Sequence, residues 1–332
     1  MPEPGALSGE PRFLARNTLS ISSFARWRPR AVDSSGRVVP WPPCPVSAAR
    51  AAMSSSSPRS GVVEANGTVF FVERRGQGLS LLLIHGAGQD AGMLGALAQA
   101  LAMAGFQVLV YDRRGTGHSG RDAWPGGGVD QHVEDAAALI RLFSFAPAVL
   151  VGVDSGGIIA FKLAEQYPEC VLHAVVWEPP VAGVTSNGRE SLAQLFLPMT
   201  AHLAEHPQDY IGAQAILLSA ATGAPVSIDD PDFARVRVNA EAMVRDEPEI
   251  ASTTFTEVLR SRPVTVATGD EPSELVRTGA AELARLSEKP VHRVAGRGDV
   301  YLTDPCVLAD LVIDVLSDAC GAAVQQGRPT PA

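Results

Sequence analysis

Residues 146–164 read APAVLVGVDSGGIIAFKLA, and no other stretch narrows the possible folds so far. A continuous apolar run, AVLVGV, gives way to Asp154-Ser155-Gly156-Gly157 and then to IIAFKLA, whose apolar residues recur at helical spacing. That order predicts a buried strand, a sharp turn and a helix. So tight a turn needs strained backbone angles and small neighbours, which Gly152, Gly156 and Gly157 supply. The residue at the apex is pushed out of the sheet and held at the helix N-terminus, where backbone N–H groups stabilise developing negative charge.

This pattern resembles the nucleophile elbow of the α/β-hydrolase superfamily, in which glycine, any residue, nucleophile, any residue and glycine follow one another. With that spacing the apex falls on Asp154. A rival register puts Ser155 there, but then Val153, a large residue, takes the position two before the apex. A serine would form an acyl ester, whereas an aspartate attacks carbon by displacement and forms an alkyl ester with the enzyme. Within the superfamily, Asp at the apex is similar to the epoxide hydrolases and haloalkane dehalogenases.

The surrounding chain fits the same fold. VVEA, Asn66-Gly67 and TVFFVER read as a hairpin. A buried strand, Leu81 to Ile84, runs into His85-Gly86-Ala87-Gly88, and a helix and the strand QVLVYD follow. The alternation of strand and helix is that of a mostly parallel sheet flanked by helices. In the superfamily the glycine-rich loop after that early strand carries one oxyanion N–H, so the resemblance implies an oxyanion hole from the backbone of Ala87 and of Ser155. The loop Asp112 to Ser119, DRRGTGHS, resembles a family loop and is read as a structural turn, His118 included.

After VLHAVVWEPP the rhythm breaks, and residues 181–262 offer only helical patterns, as expected of a helical cap over the site. The expected organisation is therefore a disordered extension over 1–59, an α/β-hydrolase core over 60–180 and 263–320, a cap over 181–262 and a tail over 321–332. Residues 1–59 hold eight arginines, no lysine and three acids with no apolar periodicity, a composition that cannot bury a core. It also resembles a transit peptide, and Met53 offers a second start.

The resemblance implies an orienting carboxylate after the strand PVTVATGDEPSE, with Glu271 the best match, Asp270 beside it and Glu178 the runner-up. It also implies a catalytic histidine in the loop after the last strand. That loop is Gly296-Arg297-Gly298-Asp299-Val300-Tyr301 and holds none. The missing position falls on Gly298 or Asp299, and His292 lies six residues before Gly298. Histidine normally activates the water that cleaves the ester. An acid beside Asp154 could replace it if like-charge repulsion raised one of the two pKa values. Asp299 is the expected substitute, making Asp154, Glu271 and Asp299 the expected catalytic set.

Three functions are compatible with this pattern. One is a hydrolase acting on a small, largely apolar molecule such as an epoxide, halide or ester. Another is a non-hydrolytic isomerase, epimerase, lyase or cyclase using Asp154 and Asp299. The third is a silent small-molecule binding protein. A net charge of −9 and the lack of a basic stripe argue against a nucleic-acid partner. No apolar run reaches the ~18 residues of a membrane span. Cys44, Cys170, Cys306 and Cys320 are scattered and are read as reduced thiols of a cytoplasmic protein, with neither a metal nor a cofactor expected.

Overall fold

In the computed structural model the described residues are 58–326, apart from 224 and 230. The predicted extension over 1–59 therefore lies almost wholly outside the described residues. In chain order the elements begin with strands β1 (Arg59–Ala65), β2 (Thr68–Arg75) and β3 (Leu79–Ile84), helix α1 (Gly95–Met103) and strand β4 (Phe106–Tyr111). Helix α2 (Gly128–Leu142), strand β5 (Ala148–Val153), helix α3 (Ser155–Gln166) and strand β6 (Val171–Trp177) follow. Four helices come next: α4 (Gly188–Glu205), α5 (Tyr210–Thr222), α6 (Pro231–Val236) and α7 (Ala240–Ala251). The chain then returns to strand β7 (Val264–Thr268), helix α8 (Glu274–Ser287), strand β8 (Val291–Arg293) and helices α9 (Val300–Thr303) and α10 (Pro305–Gln326). Because α10 runs to Gln326, the first part of the expected tail from 321 is helical.

All eight strands form one sheet in the order β1-β2-β4-β3-β5-β6-β7-β8. β1 pairs antiparallel with β2 and β2 antiparallel with β4, whereas every pair from β4 to β8 is parallel. The β1–β2 turn takes Asn66 to φ 42° and Gly67 to φ 74°. Two left-handed residues in a two-residue hairpin suit the twist of the flanking strands. The central strand β5 is buried along its whole length, as a parallel strand covered by helices on both faces must be. One core layer joins it to α2, α3 and α8, the other to α1, α9 and α10.

Within the helical insertion between β6 and β7, α7 packs on α2 and α3 and against α5. Ala182 and Gly183 N–H both donate to Ala251 O, at 2.9 and 3.1 Å, tying the insertion's entrance to its last helix. Buried Asn239 fastens the same helix to the sheet's loops. It accepts from Gly117 N–H at 2.8 Å and donates to Gln89 O at 3.0 Å.

Among the described residues no helix is long and apolar enough to cross a membrane. Cys170 is a buried free thiol and Cys306 is disulfide-bonded, which corrects the expectation of four reduced thiols. Scattered sequence positions carry no information on which sulfurs meet in space.

Candidate active site

β5 ends at Val153, and the next residue, Asp154, turns the chain with φ 54° and ψ −131°. A non-glycine residue in this region is strained, and such strain persists only where neighbours hold it. Here Asp154 N–H donates to Trp177 O at 2.9 Å and Asp154 O accepts from Gly157 N–H at 2.8 Å. The flanking glycines allow the approach: a Cβ on Gly152 would stand 2.4 Å from Gly156 O, and one on Gly156 2.3 Å from Ile84 O. Asp154 thus occupies the apex, while Ser155 begins α3 and is fully buried.

The Asp154 carboxylate is held by a backbone N–H group. Ala87 N–H donates to Oδ2 at 3.1 Å, and the Ser155 N–H lies close enough to favour its charge. Of the two groups expected from the resemblance, Ala87 hydrogen-bonds to Asp154. Burial pushes its pKa up, while these N–H groups and the nearby Arg113 guanidinium favour the ionised form. The loop carrying Ala87 is held through His85, whose Nε2 accepts from Arg113 N–H at 3.0 Å and whose Nδ1 donates to Gly86 O at 2.9 Å. Burial, followed by the Arg113 charge, holds that imidazole far below its usual pKa, so it stays neutral.

Two carboxyl groups approach Asp154, and neither is the expected Glu271 or Asp299. At the end of β6, Glu178 is half-buried with φ 46° and accepts from Gly269 N–H at 2.8 Å. Burial raises its pKa and the charges of Asp154 and Asp299 raise it further, against the Gly269 hydrogen bond. Glu271 is exposed, because the turn after β7 carries it outward. Asp270, also exposed, accepts from Gly296 N–H at 2.9 Å. The runner-up Glu178 therefore replaces Glu271 as the acid facing Asp154.

Asp299 is likewise corrected. It is exposed, because it leads into the short helix α9 and leaves Val300 and Tyr301 to fill the core. Tyr301 is buried together with Val300, with its hydroxyl joined to the Gln89 side chain. Burial and then the Asp154 charge push its pKa up, so it stays protonated. His118 has a ring 81% exposed, in keeping with a surface turn, and its N–H donates to Asp112 Oδ2 at 2.8 Å.

The second carboxyl group, Glu247, comes from α7 in the insertion. Ser155 Oγ donates to Glu247 Oε1 at 2.9 Å, and Arg113 Nη2 lies 3.4 Å from the same oxygen. Arg113 itself is wholly buried, with Nη1 3.4 Å from Ser155 Oγ. Burial pushes the Glu247 pKa up to about 8; Arg113 opposes this and the charges of Asp154 and Asp246 add to it. The sequence reading missed both residues. Arg113 lay inside a loop read as structural, and its position two residues into DRRGTGHS carried no sign that its side chain turns inward. Glu247 did leave a signal: it follows Met243 by four and precedes Ala251 by four, on the buried face of an amphipathic helix.

Asp154, Ala87 and Glu247 open together on a cavity of about 780 Å³ between the core and the insertion. Leu195, Phe196, Leu217 and Met243 line one part of that cavity, and Asn187, Gln194, Ser273 and Arg277 another. A carboxyl at a helix N-terminus with a second carboxyl, of raised pKa, on the same cavity suits displacement at carbon and proton transfer.

The sheet order and the strand-turn-helix at Asp154 are those of an α/β hydrolase. Residues 68–301 match the Hydrolase_4 family, described as serine aminopeptidase, S33, and the chain belongs to that family. The family's description refers to a serine; residue 154 of this chain is Asp. The uncharacterized hydrolase YraK of Bacillus subtilis is 32% identical over 132 residues, which are 40% of this chain and 48% of YraK. The chain thus spans about half the length of that relative. An α/β hydrolase from Sphaerobacter thermophilus has a TM-score of 0.61 at 24% identity, over 77% of this chain and 100% of that one. A structure titled for the carboxylesterases of the thaumarchaeon Nitrososphaera gargenis has a TM-score of 0.62 at 18% identity, over 80% of this chain and 100% of that one. At these identities the structural likenesses speak for the fold.

Proposed function

We propose that this chain is a hydrolase in which Asp154 attacks carbon of a small, largely apolar organic molecule held beneath a helical cap. Water then cleaves the resulting alkyl ester. One observation carries this reading: Ala87 N–H, from the glycine-rich loop after β3, donates to Oδ2 of the Asp154 carboxylate at 3.1 Å. With one oxygen fixed there, the other is free to displace a leaving group. The fixed oxygen becomes the ester carbonyl, already seated where an oxyanion forms when water adds to the carboxyl carbon.

An aspartate as nucleophile suits an electrophilic carbon bearing a leaving group, such as an epoxide or an alkyl halide. The part of the cavity lined by Leu195, Phe196, Leu217 and Met243 supports a largely apolar substrate of modest size. Ester cleavage, the second half of the reaction, is the chemistry that the carboxylesterases of the Nitrososphaera structure are named for.

Intact-mass measurement after exposure to styrene oxide and to 1-bromohexane tests the reading. Product release, or an adduct mapped to Asp154, is expected with the wild type and neither with Asp154→Asn. Wild-type protein that forms neither product nor adduct contradicts it.

A further inference from the structure

The geometry points to Glu247 as the catalytic acid for this reaction, giving its proton to the oxygen that leaves when Asp154 opens an epoxide. This rests on Asp154 as the nucleophile and adds what that reading lacks, a proton donor inside the cavity. The position is built for it. α7 packs on α3 and carries Glu247 to the first turn of that helix, beside the apex residue. Its carboxyl lines the same cavity as Asp154 and is almost wholly buried. Ser155 Oγ donates to Oε1, with Arg113 on the same oxygen, which fixes the orientation of the group.

The charged groups facing Glu247 are Arg113 from the loop after β4, Asp154 from the apex and Asp246 beside it on α7. Burial and the two acids outweigh the arginine and the Ser155 hydroxyl, so the carboxyl holds its proton at neutral pH. Proton transfer and displacement then balance. An Asp154 oxygen bonds to the epoxide carbon, the carbon–oxygen bond breaks, and the leaving oxygen takes the Glu247 proton. The products are a hydroxyalkyl ester and a Glu247 carboxylate. That carboxylate takes a proton from water, whose hydroxide adds to the Asp154 carboxyl carbon. The tetrahedral adduct expels the diol's second oxygen as an alkoxide, which takes the proton left on Asp154. Asp154 ends ionised and Glu247 protonated, as they began, and one epoxide and one water have become one diol.

Two electrophiles that differ in the leaving group's need for a proton supply the test. Bromide departs as a stable anion, whereas an epoxide oxygen departs as an alkoxide that must be protonated. First-turnover bromide release from 1-bromohexane and consumption of styrene oxide are measured for the wild type and for Glu247→Gln. Loss of a general acid is expected to slow epoxide consumption by about 10²–10⁴-fold, at least about tenfold more than it slows bromide release. Equal losses on both probes would mean a structural role and overturn the proposal, as would a variant that consumes epoxide at the wild-type rate. The wild-type pH profile needs no variant: epoxide consumption should fall as pH rises through about 8, with no matching fall in bromide release. A flat epoxide profile there overturns the assignment. If the wild type reacts with neither probe, the function reading fails first; if it reacts with both but Glu247→Gln shows no selective loss, only the Glu247 assignment fails.

Discussion

Glu178 faces Gly298 across the end of the sheet: a Cβ on Gly298 would stand 2.7 Å from Glu178 Oε2. The superfamily resemblance implies a histidine in this loop, and this is where its orienting acid would meet it. Gly298 is held in place by its carbonyl, which accepts from Trp177 Nε1 at 2.8 Å. The atom in the way is the far end of a flexible side chain, so a larger residue is accommodated by a small shift of Glu178.

Gly298→His should therefore supply a second base, which matters most where bromide departure leaves Glu247 protonated. An imidazole there can hydrogen-bond to Glu178 and titrate near neutrality, where a carboxylate of ordinary pKa is a weak acceptor. Cleavage of an accumulated Asp154 ester, followed by intact mass, should speed up by about tenfold or more. Adding Glu178→Gln should remove much of that gain. A Gly298→His variant that cleaves the ester no faster than the parent contradicts the arrangement.

Much of this framework was legible in the sequence, and the parts that were not share a cause. The strand-turn-helix at 146–164 and the hairpin at Asn66-Gly67 depend on local spacing, which sequence records directly. The carboxylates depend on where separate segments meet. Glu271 followed a strand as the resemblance requires, yet the turn after β7 carries it to solvent. Asp299 was in the right loop, but α9 buries Val300 and Tyr301 and leaves Asp299 outside. Glu247 sits 93 positions beyond Asp154 and reaches it only because α7 folds back onto α3.

Two glycine substitutions at the turn should differ in cost. A Cβ on Gly156 would meet backbone on two sides, 2.3 Å from Ile84 O and 2.5 Å from His85 O, so the turn or β3 must move. On Gly157 the nearest atom is Val176 Cβ at 3.1 Å, and alanine there gains helix propensity. Gly156→Ala is expected to lose roughly 1–3 kcal/mol to overpacking, and Gly157→Ala less. Urea denaturation of the two variants checks the order, and equal or reversed losses contradict the packing described here.

Stability should carry the imprint of Glu247. Its folded pKa lies near 8, above the ordinary carboxylate value, so the folded state binds the extra proton. This contribution is fully present below the unfolded pKa of about 4.3 and fades as pH rises through the folded value. Asp112, Asp154 and Glu178 are also raised, so the wild-type curve alone mixes several groups. The difference in Tm between wild type and Glu247→Gln isolates one of them. It should move in favour of the variant from pH 5 to pH 8; a difference constant over that range would contradict a buried, protonated Glu247.

The origin of the oxygen that water adds tests Asp154 most directly. Turnover of styrene oxide in H2(18)O, followed by digestion and mass measurement of the peptide holding Asp154, follows that oxygen. If Asp154 forms an ester that water attacks at the carboxyl carbon, the first turnover gives a diol whose new oxygen is unlabelled. Repeated turnover then places the heavy isotope in the Asp154 carboxylate. A labelled diol from the first turnover, with the Asp154 peptide still unlabelled, would mean direct attack by water and would contradict Asp154 as the nucleophile.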